Sequence, residues 1–184
     1  MLTATYSLVA IAAEQKTTYS ILAKLKQYIH GTLDGRQSVD PAALESAIDR
    51  LAQFDIYCHS RKVEVYVIPA LRSSTEDVDQ LLTELESLSA AARRILASLQ
   101  QRIERAIQWG TAEVNQMCLA MEQYCDKMFR RLAKEEQQLL PVVNQLLSNE
   151  EWFSLGAQFL SDDGDRYGHR RVPPPAIPRI AVPM

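Results

Sequence analysis

Six polar residues interrupt apolar stripes of helical spacing: Gln15, Asp55, His59, Ser89, Arg131 and Glu135. The imidazole and the carboxylates are metal-ligating and proton-transferring types, whereas the guanidinium is a permanent cation that binds carboxylates and anions. Buried polar atoms need partners, so inward polar groups at one height of a helical assembly have two outcomes. They coordinate an ion or cofactor, or they pair with one another. In the second case Arg131 pairs with Glu135 one turn later, and Asp55 with His59.

The elements that must position these residues follow from the periodicity. Leu8, Ile11, Gln15, Thr18, Leu22, Leu25 and Ile29 keep a 3,4 spacing that predicts a long first helix ending at Gly31. Asp40 and Pro41 open a second helix that runs to about Leu71. Leu82, Leu85, Ser89, Ala92, Leu96 and Leu99 mark a third, which stops at Gly110. The fourth begins at Thr111, carries Val114, Met117, Met121, Tyr124, Met128, Arg131 and Glu135, and is kinked or ended by Pro141. Ser148 and Glu151 form a capping box for a short fifth helix with Trp152, Phe153 and Phe159.

Short links force neighbouring helices to be antiparallel, so residues 1–160 are expected to form an up-down-up-down four-helix bundle, an all-α fold. Gln15 lies about 12 residues into its helix and His59 about 12 from the end of its own, which brings the two level. Residues 161–184 are read as a Pro-rich tail or arm, in which Ile177, Ile180 and Val182 offer apolar side chains to bury. Composition leaves a docked arm and a loose tail both open. The body also repeats itself. Laying Pro69 on Pro141 aligns Phe54–Leu71 with the segment around Cys125–Val142 and places His59 on Arg131, while a second register places Gln15 on Ser89.

Composition excludes several function classes. With 184 residues the chain fits one domain, and 20 Lys+Arg against 23 Asp+Glu, a net charge of −3, disfavour a nucleic-acid partner. No apolar run reaches the length of a membrane span, so no membrane partner is expected. Cys58, Cys118 and Cys125 are an odd number inside helix-like stretches, which fits packed thiols in a reducing cytoplasm. The sequence lacks a Gly-rich phosphate loop and a spaced nucleophile–base pair, and it has three histidines, so no enzyme is expected. His30 and His169 read as surface residues, and Asp162, Asp163 and Asp165 as solvated loop charges. A second copy of the chain or an unidentified protein remains as partner.

YCDKMFRRLAKEEQQLLPVVNQLLSNEEW, Tyr124 to Trp152, resembles the second signature of hemerythrin-like (HHE cation-binding) domains, a helix with His-x-x-x-Glu, an apolar pair, Pro and then Trp. HSRKVEVYVIPAL, from His59, resembles the first. The resemblance covers about residues 5 to 160. It implies an up-down four-helix bundle built around a non-haem di-iron centre, used in oxygen binding, iron or oxygen sensing, or protection from reactive species. Carried over residue by residue, it puts Gln15, Ser89 and Arg131 at positions where the family has His, and Val63 where it has Glu. His59 and Glu135 keep the ligand type. With an arginine among the donors, the expected reading is a bundle with a degenerate site and no cofactor, serving as a structural, sensory or interaction module. The alternative is an iron-binding or oxygen- or iron-sensing protein with a rearranged site from His59, Glu64 and Glu135.

Overall fold

The computed structural model describes residues 2–33, 41–74, 78–105 and 110–168. Among these residues the chain is helical with no strand. The elements are α1 (Leu2–Leu33), α2 (Pro41–His59), a π-helical turn at Val63–Val67, α3 (Ile68–Ser74), α4 (Asp79–Arg105), α5 (Thr111–Lys134), a second π-helical turn at Glu135–Leu139, α6 (Leu140–Leu146) and α7 (Asn149–Gly168). Asp40 and the apolar residues Ile177, Ile180 and Val182 lie outside the described residues, as does His169.

Helix α1 packs on α2, α5 and α7, and α4 packs on α2 and α5. The direction of each helix is visible in how it feeds two apolar clusters. One cluster takes Ile21, Leu22, Leu25 and Ile29 from α1, Leu44 to Cys58 from α2, Ala92 to Leu99 from α4 and Val114 to Leu132 from α5. The other takes Ile11 from α1, Val63 to Leu71, Leu82 and Leu85 from α4, and Leu139 to Leu147, and is closed by Trp152, Leu155 and Phe159 of α7. Successive helices therefore cross from one cluster to the other in alternating directions, which is the up-down-up-down bundle. The buried polar residues Gln15, Arg61, Ser89, Arg131 and Glu135 fall between the clusters on every helix.

The internal repeat is expressed in the backbone. The proline-on-proline alignment that lays His59 on Arg131 also lays Val63–Val67 on Glu135–Leu139, and α3 on α6. Each proline removes an amide that would have bonded four residues back, at Val65 for Pro69 and at Gln137 for Pro141. A wider turn precedes each one, closed by Ile68 N–H donating to Val63 O and by Leu140 N–H donating to Glu135 O. Pro141 thus neither ends nor sharply breaks its helix; α6 continues to Leu146 with the proline in its first turn.

Two expectations about the helices are corrected. The second helix is not continuous to Leu71. It stops at His59, where Ser60 Oγ donates back to Tyr57 O (2.8 Å) and Arg61 N–H to Cys58 O (3.4 Å), a local competition with the helical ladder. The fifth helix is not short: the boundary at residue 160 falls inside α7, and 161–168 are helical. Lys62 accounts for this extension, because its ammonium pairs with Asp163 at 3.1 Å and lies 5.5 Å from the Phe159 ring centroid. Asp163 is therefore a helix residue with a cationic partner. The capping box forms as read, with Ser148 N–H donating to Glu151 Oε2 (2.8 Å) and Glu151 N–H to Ser148 Oγ (3.3 Å).

Phe159 is fully buried with its ring 5.4 Å from that of Tyr66, whereas Phe153 on the same helix is 64% exposed. Phe159→Ala should cost about 3 to 5 kcal/mol by urea denaturation, and Phe153→Ala within about 1 kcal/mol. Equal, small costs would mean that α7 does not close the second apolar cluster.

Candidate functional site

The polar layer between the two clusters is organised by a residue absent from the stripes read in the sequence, Arg61. Its side chain is fully buried. Arg61 Nη2 donates to Glu135 Oε1 at 2.7 Å and Nη1 to Glu135 Oε2 at 2.9 Å, a two-pronged pair. Nη1 also donates to Gln15 Oε1 (3.0 Å), and Nε to Cys58 O (3.3 Å). Gln15 in turn donates from Nε2 to Leu132 O at 3.1 Å, the carbonyl one turn before the second π-helical turn.

Arg131 supplies the second guanidinium. Its Nε donates to Glu135 Oε1 at 2.8 Å, Nη1 donates to Ser89 Oγ, and Nη2 pairs with Glu64. Glu64 is also within 3.6 Å of Arg61 Nη2 and is the most exposed of the four charged groups, at 21%. Two guanidiniums thus face two carboxylates, and the layer is neutral. Gln15, Ser89, Arg131 and Glu135 are brought together as the stripes implied.

His59 is not. His59, the last residue of α2, lies off the side that the helix buries, whereas Arg61 lies seven residues beyond buried Phe54 and three beyond buried Cys58 and enters the interior. His59 is instead 47% exposed, with Nδ1 2.8 Å from Asp55 O and 3.8 Å from Asp55 Oδ2. The combination of His59 with Glu64 and Glu135 is therefore not assembled: the ring is turned to Asp55 at the surface, while both carboxylates are held by arginines. Among the described residues no group of three or more His, Cys, Asp or Glu side chains is placed to hold a metal ion. The inward-facing Asp55 oxygen accepts from the Tyr124 hydroxyl at 3.1 Å. Beneath the layer, Tyr124 is fully buried, and burial together with the Asp55 charge raises its pKa well above the ordinary phenol value.

The electrostatics follow from this packing. Burial opposes the charge of Glu135, but Arg61 and then Arg131 outweigh it and hold the carboxyl below the ordinary glutamate value. Burial likewise opposes the charge of Arg61, and Glu135 more than offsets it, so the guanidinium pKa rises. Cys58, whose carbonyl accepts from Arg61, has its thiol pushed up to about 12 by burial, and Cys125 is pushed up to about 12 for the same reason. Both are packed thiols rather than nucleophiles. His30 lies at the surface beside Glu122, 3.2 Å away.

The backbone makes its own contribution. The break leaves Lys62 N–H without an intrahelical acceptor, and Glu14 of α1 supplies one through Oε2 at 2.7 Å. Helix α1 therefore reads both sides of the break, Gln15 through the Arg61 side chain and Glu14 through the Lys62 backbone. A signal for Arg61 did exist in the sequence. It lies seven residues beyond Phe54 and three beyond Cys58, on the side of the helix that those residues bury, and Glu64 lies three residues beyond it.

Removing one partner from a buried pair leaves an uncompensated charge, so Arg61→Ala and Arg131→Ala should each cost about 3 to 5 kcal/mol, against about 1 kcal/mol or less for His59→Ala. Denaturant titration of the three variants decides this. The pH dependence has a definite sign. Glu135 has a lower pKa folded than unfolded, so its contribution is complete above the unfolded value of about 4.3 and is lost as pH falls through the folded value. Between about pH 4.5 and 3 the wild type should lose stability more steeply than Glu135→Gln. Parallel loss in both would show that Glu135 is not held ionised by the arginines.

Comparison with known proteins adds one match. The family model of the Hemerythrin HHE cation binding domain matches residues 8–143. No curated protein and no solved structure matches the chain. The matched span runs from the first turns of α1 into α6 and contains the whole polar layer, with Arg61 and Arg131 among its residues. The chain belongs to the hemerythrin HHE cation-binding domain family.

Proposed function

We propose that this hemerythrin-family bundle works without a di-iron centre, as a non-catalytic structural, sensory or interaction module whose interior is held by an ionic lattice in place of metals. The observation that carries this reading is the engagement of Glu135: both of its oxygens accept from Arg61, and one also from Arg131. Three of the roughly four acceptor sites of the carboxylate are taken in this way, and two guanidiniums put fixed positive charge into the same space. The donor set of this layer, two arginines, two glutamates, a glutamine and a serine, does not fit an iron centre that wants several neutral imidazoles. The lattice supplies what metals supply mechanically, a cationic tie among all four bundle helices. The buried thiols Cys58, Cys118 and Cys125 suit a reducing compartment. Among the described residues no helix is long and apolar enough to cross a membrane.

Protein expressed in iron-supplemented medium should be colourless and retain far less than one iron per chain by elemental analysis after desalting. Close to two irons per chain would overturn the reading. A rebuilding experiment tests the lattice itself. Gln15→His, Val63→Glu, Ser89→His and Arg131→His together restore the family's donor types, and the buried Val63 already faces the interior. Arg61 remains in that set, so the quadruple variant should take up no more iron than wild type, and adding Arg61→Ala should raise uptake. Iron binding by the quadruple variant alone would show that Arg61 does not exclude the metal.

A further inference from the structure

The charges of α5 are sorted by side. Glu122 and Asp126 face α1, where His30 and Lys26 take them up at 3.2 and 2.7 Å. The other edge of α5 faces α4 across a groove of about 450 Å³, and no Asp or Glu lines it. The floor of the groove is Ala91, Ile95 and Ala120, and Arg94 and Arg102 stand along its α4 rim. Leu119, 58% exposed, lies three residues after Gln116 and four before Gln123, and adds an apolar side chain on the α5 side.

The cations of this groove have no acid to match them. Arg94 makes no hydrogen bond or ion pair among the described residues, and Arg102 donates to the neutral Gln116 amide at 2.8 Å. Between residues 84 and 126 the remaining acids are engaged or turned away. Glu84 pairs with Lys134 and Glu86 with Arg72, and Glu113 accepts from Gly110 N–H. Glu104 follows Arg102 by two residues, which puts it about 200° round the helix. A chain of net charge −3 thus collects unmatched positive charge beside an apolar floor.

The spacing narrows the occupant. Arg94 and Arg102 are two turns apart, about 12 Å along α4, with Ile95 between them. A helix laid along the groove matches this when its acids recur about seven or eight residues apart and apolar side chains fill the turn between. The apolar floor offers nothing to a phosphate backbone, which favours a protein segment over a nucleic acid.

We infer that the α4–α5 groove is the docking site of an acidic amphipathic helix of a partner protein, its apolar side on Ala91, Ile95, Leu119 and Ala120 and its carboxylates on Arg94 and Arg102. The inference names a partner class for the interaction role proposed above and rests on that role, and the groove lies outside the Arg61–Glu135 layer.

A displayed library of random peptides, each about 20 residues or five helical turns long, tests this when selected on the full-length protein and counter-selected on Arg94→Glu/Arg102→Glu. Enriched peptides should carry Asp or Glu about seven or eight positions apart around apolar residues. Made synthetically, they should bind the double variant at least about tenfold more weakly, and replacing their acids with Lys should invert the preference. Both arginines lie on the groove rim, so the double variant should keep the wild-type thermal midpoint, and Arg94→Gln/Arg102→Gln replaces it if it does not. No enrichment, enrichment of sequences without that pattern, or equal affinity for both proteins would overturn the inference. A DNA duplex that binds the wild type at physiological salt and is lost by the double variant would assign the groove to a nucleic acid and likewise overturn it. Peptide binding by a protein that holds two irons would retain the groove while overturning the metal-free reading, and an iron-free protein that enriches no such peptide would do the reverse.

Discussion

The two-pronged contact between Arg61 and Glu135 is the constraint on which the rest of the interior depends. A carboxylate with no exposed surface is tolerable only if its charge is matched within the same dry layer. Arg61 matches it, Arg131 shares one of its oxygens, and Glu64 balances the second guanidinium from a position nearer the surface. Gln15 and Ser89 complete the set by accepting the remaining donors. Members come from α1, from the segment that follows α2, from α4 and from α5 with the turn after it, so the layer fixes the relative heights of the helices as well as satisfying its own charges. Apolar contacts above and below tolerate sliding; a directional pair does not. Registry is the best-attested use of buried polar groups, and here the lattice divides two apolar clusters that would otherwise merge.

The route by which Arg61 reaches Glu135 is a backbone matter. Two hairpins of similar design place a π-helical turn before a proline, at matching positions in the repeat. In the second hairpin the helix before that turn is unbroken, and Arg131 and Glu135 sit one turn apart on its inner side. In the first it is broken at Ser60–Arg61, and the residue that the repeat aligns with Arg131, His59, leaves the interior. The asymmetry lets both arginines enter one layer from opposite hairpins without competing for the same space. Glu14 makes the break affordable for the backbone by accepting from Lys62 N–H, and Lys62 passes the effect on to α7 through Asp163 and Phe159.

The proposed function, family membership without the family's metal chemistry, has a physical basis. A polar layer tied across four helices at one height can be held either by cationic metals with imidazoles and carboxylates or by guanidiniums with carboxylates. We read the second arrangement as a replacement of the first: it preserves the positive charge and the connectivity while removing vacant coordination sites.

The sequence by itself determined the bundle. The 3,4 spacing of α1, α4 and α5 was unambiguous because long amphipathic helices without internal breakers leave few alternatives, and the resemblance of the Tyr124–Trp152 segment pointed to the family that the match over residues 8–143 shows. The grouping of Gln15, Ser89, Arg131 and Glu135 was also legible, since the first three lie within unbroken helices whose stripes project to one level and Glu135 follows Arg131 by one turn. Tertiary structure decided which residue from the second helix joins them. Ser60 and Arg61 carry no glycine or proline to announce a break, and the energy that favours it comes from contacts distant in sequence: Glu14, Gln15 and Glu135 reward the local loss of helical hydrogen bonds. The length of α7 was hidden for the same reason, because what holds its last turns is Lys62, a residue about a hundred positions away.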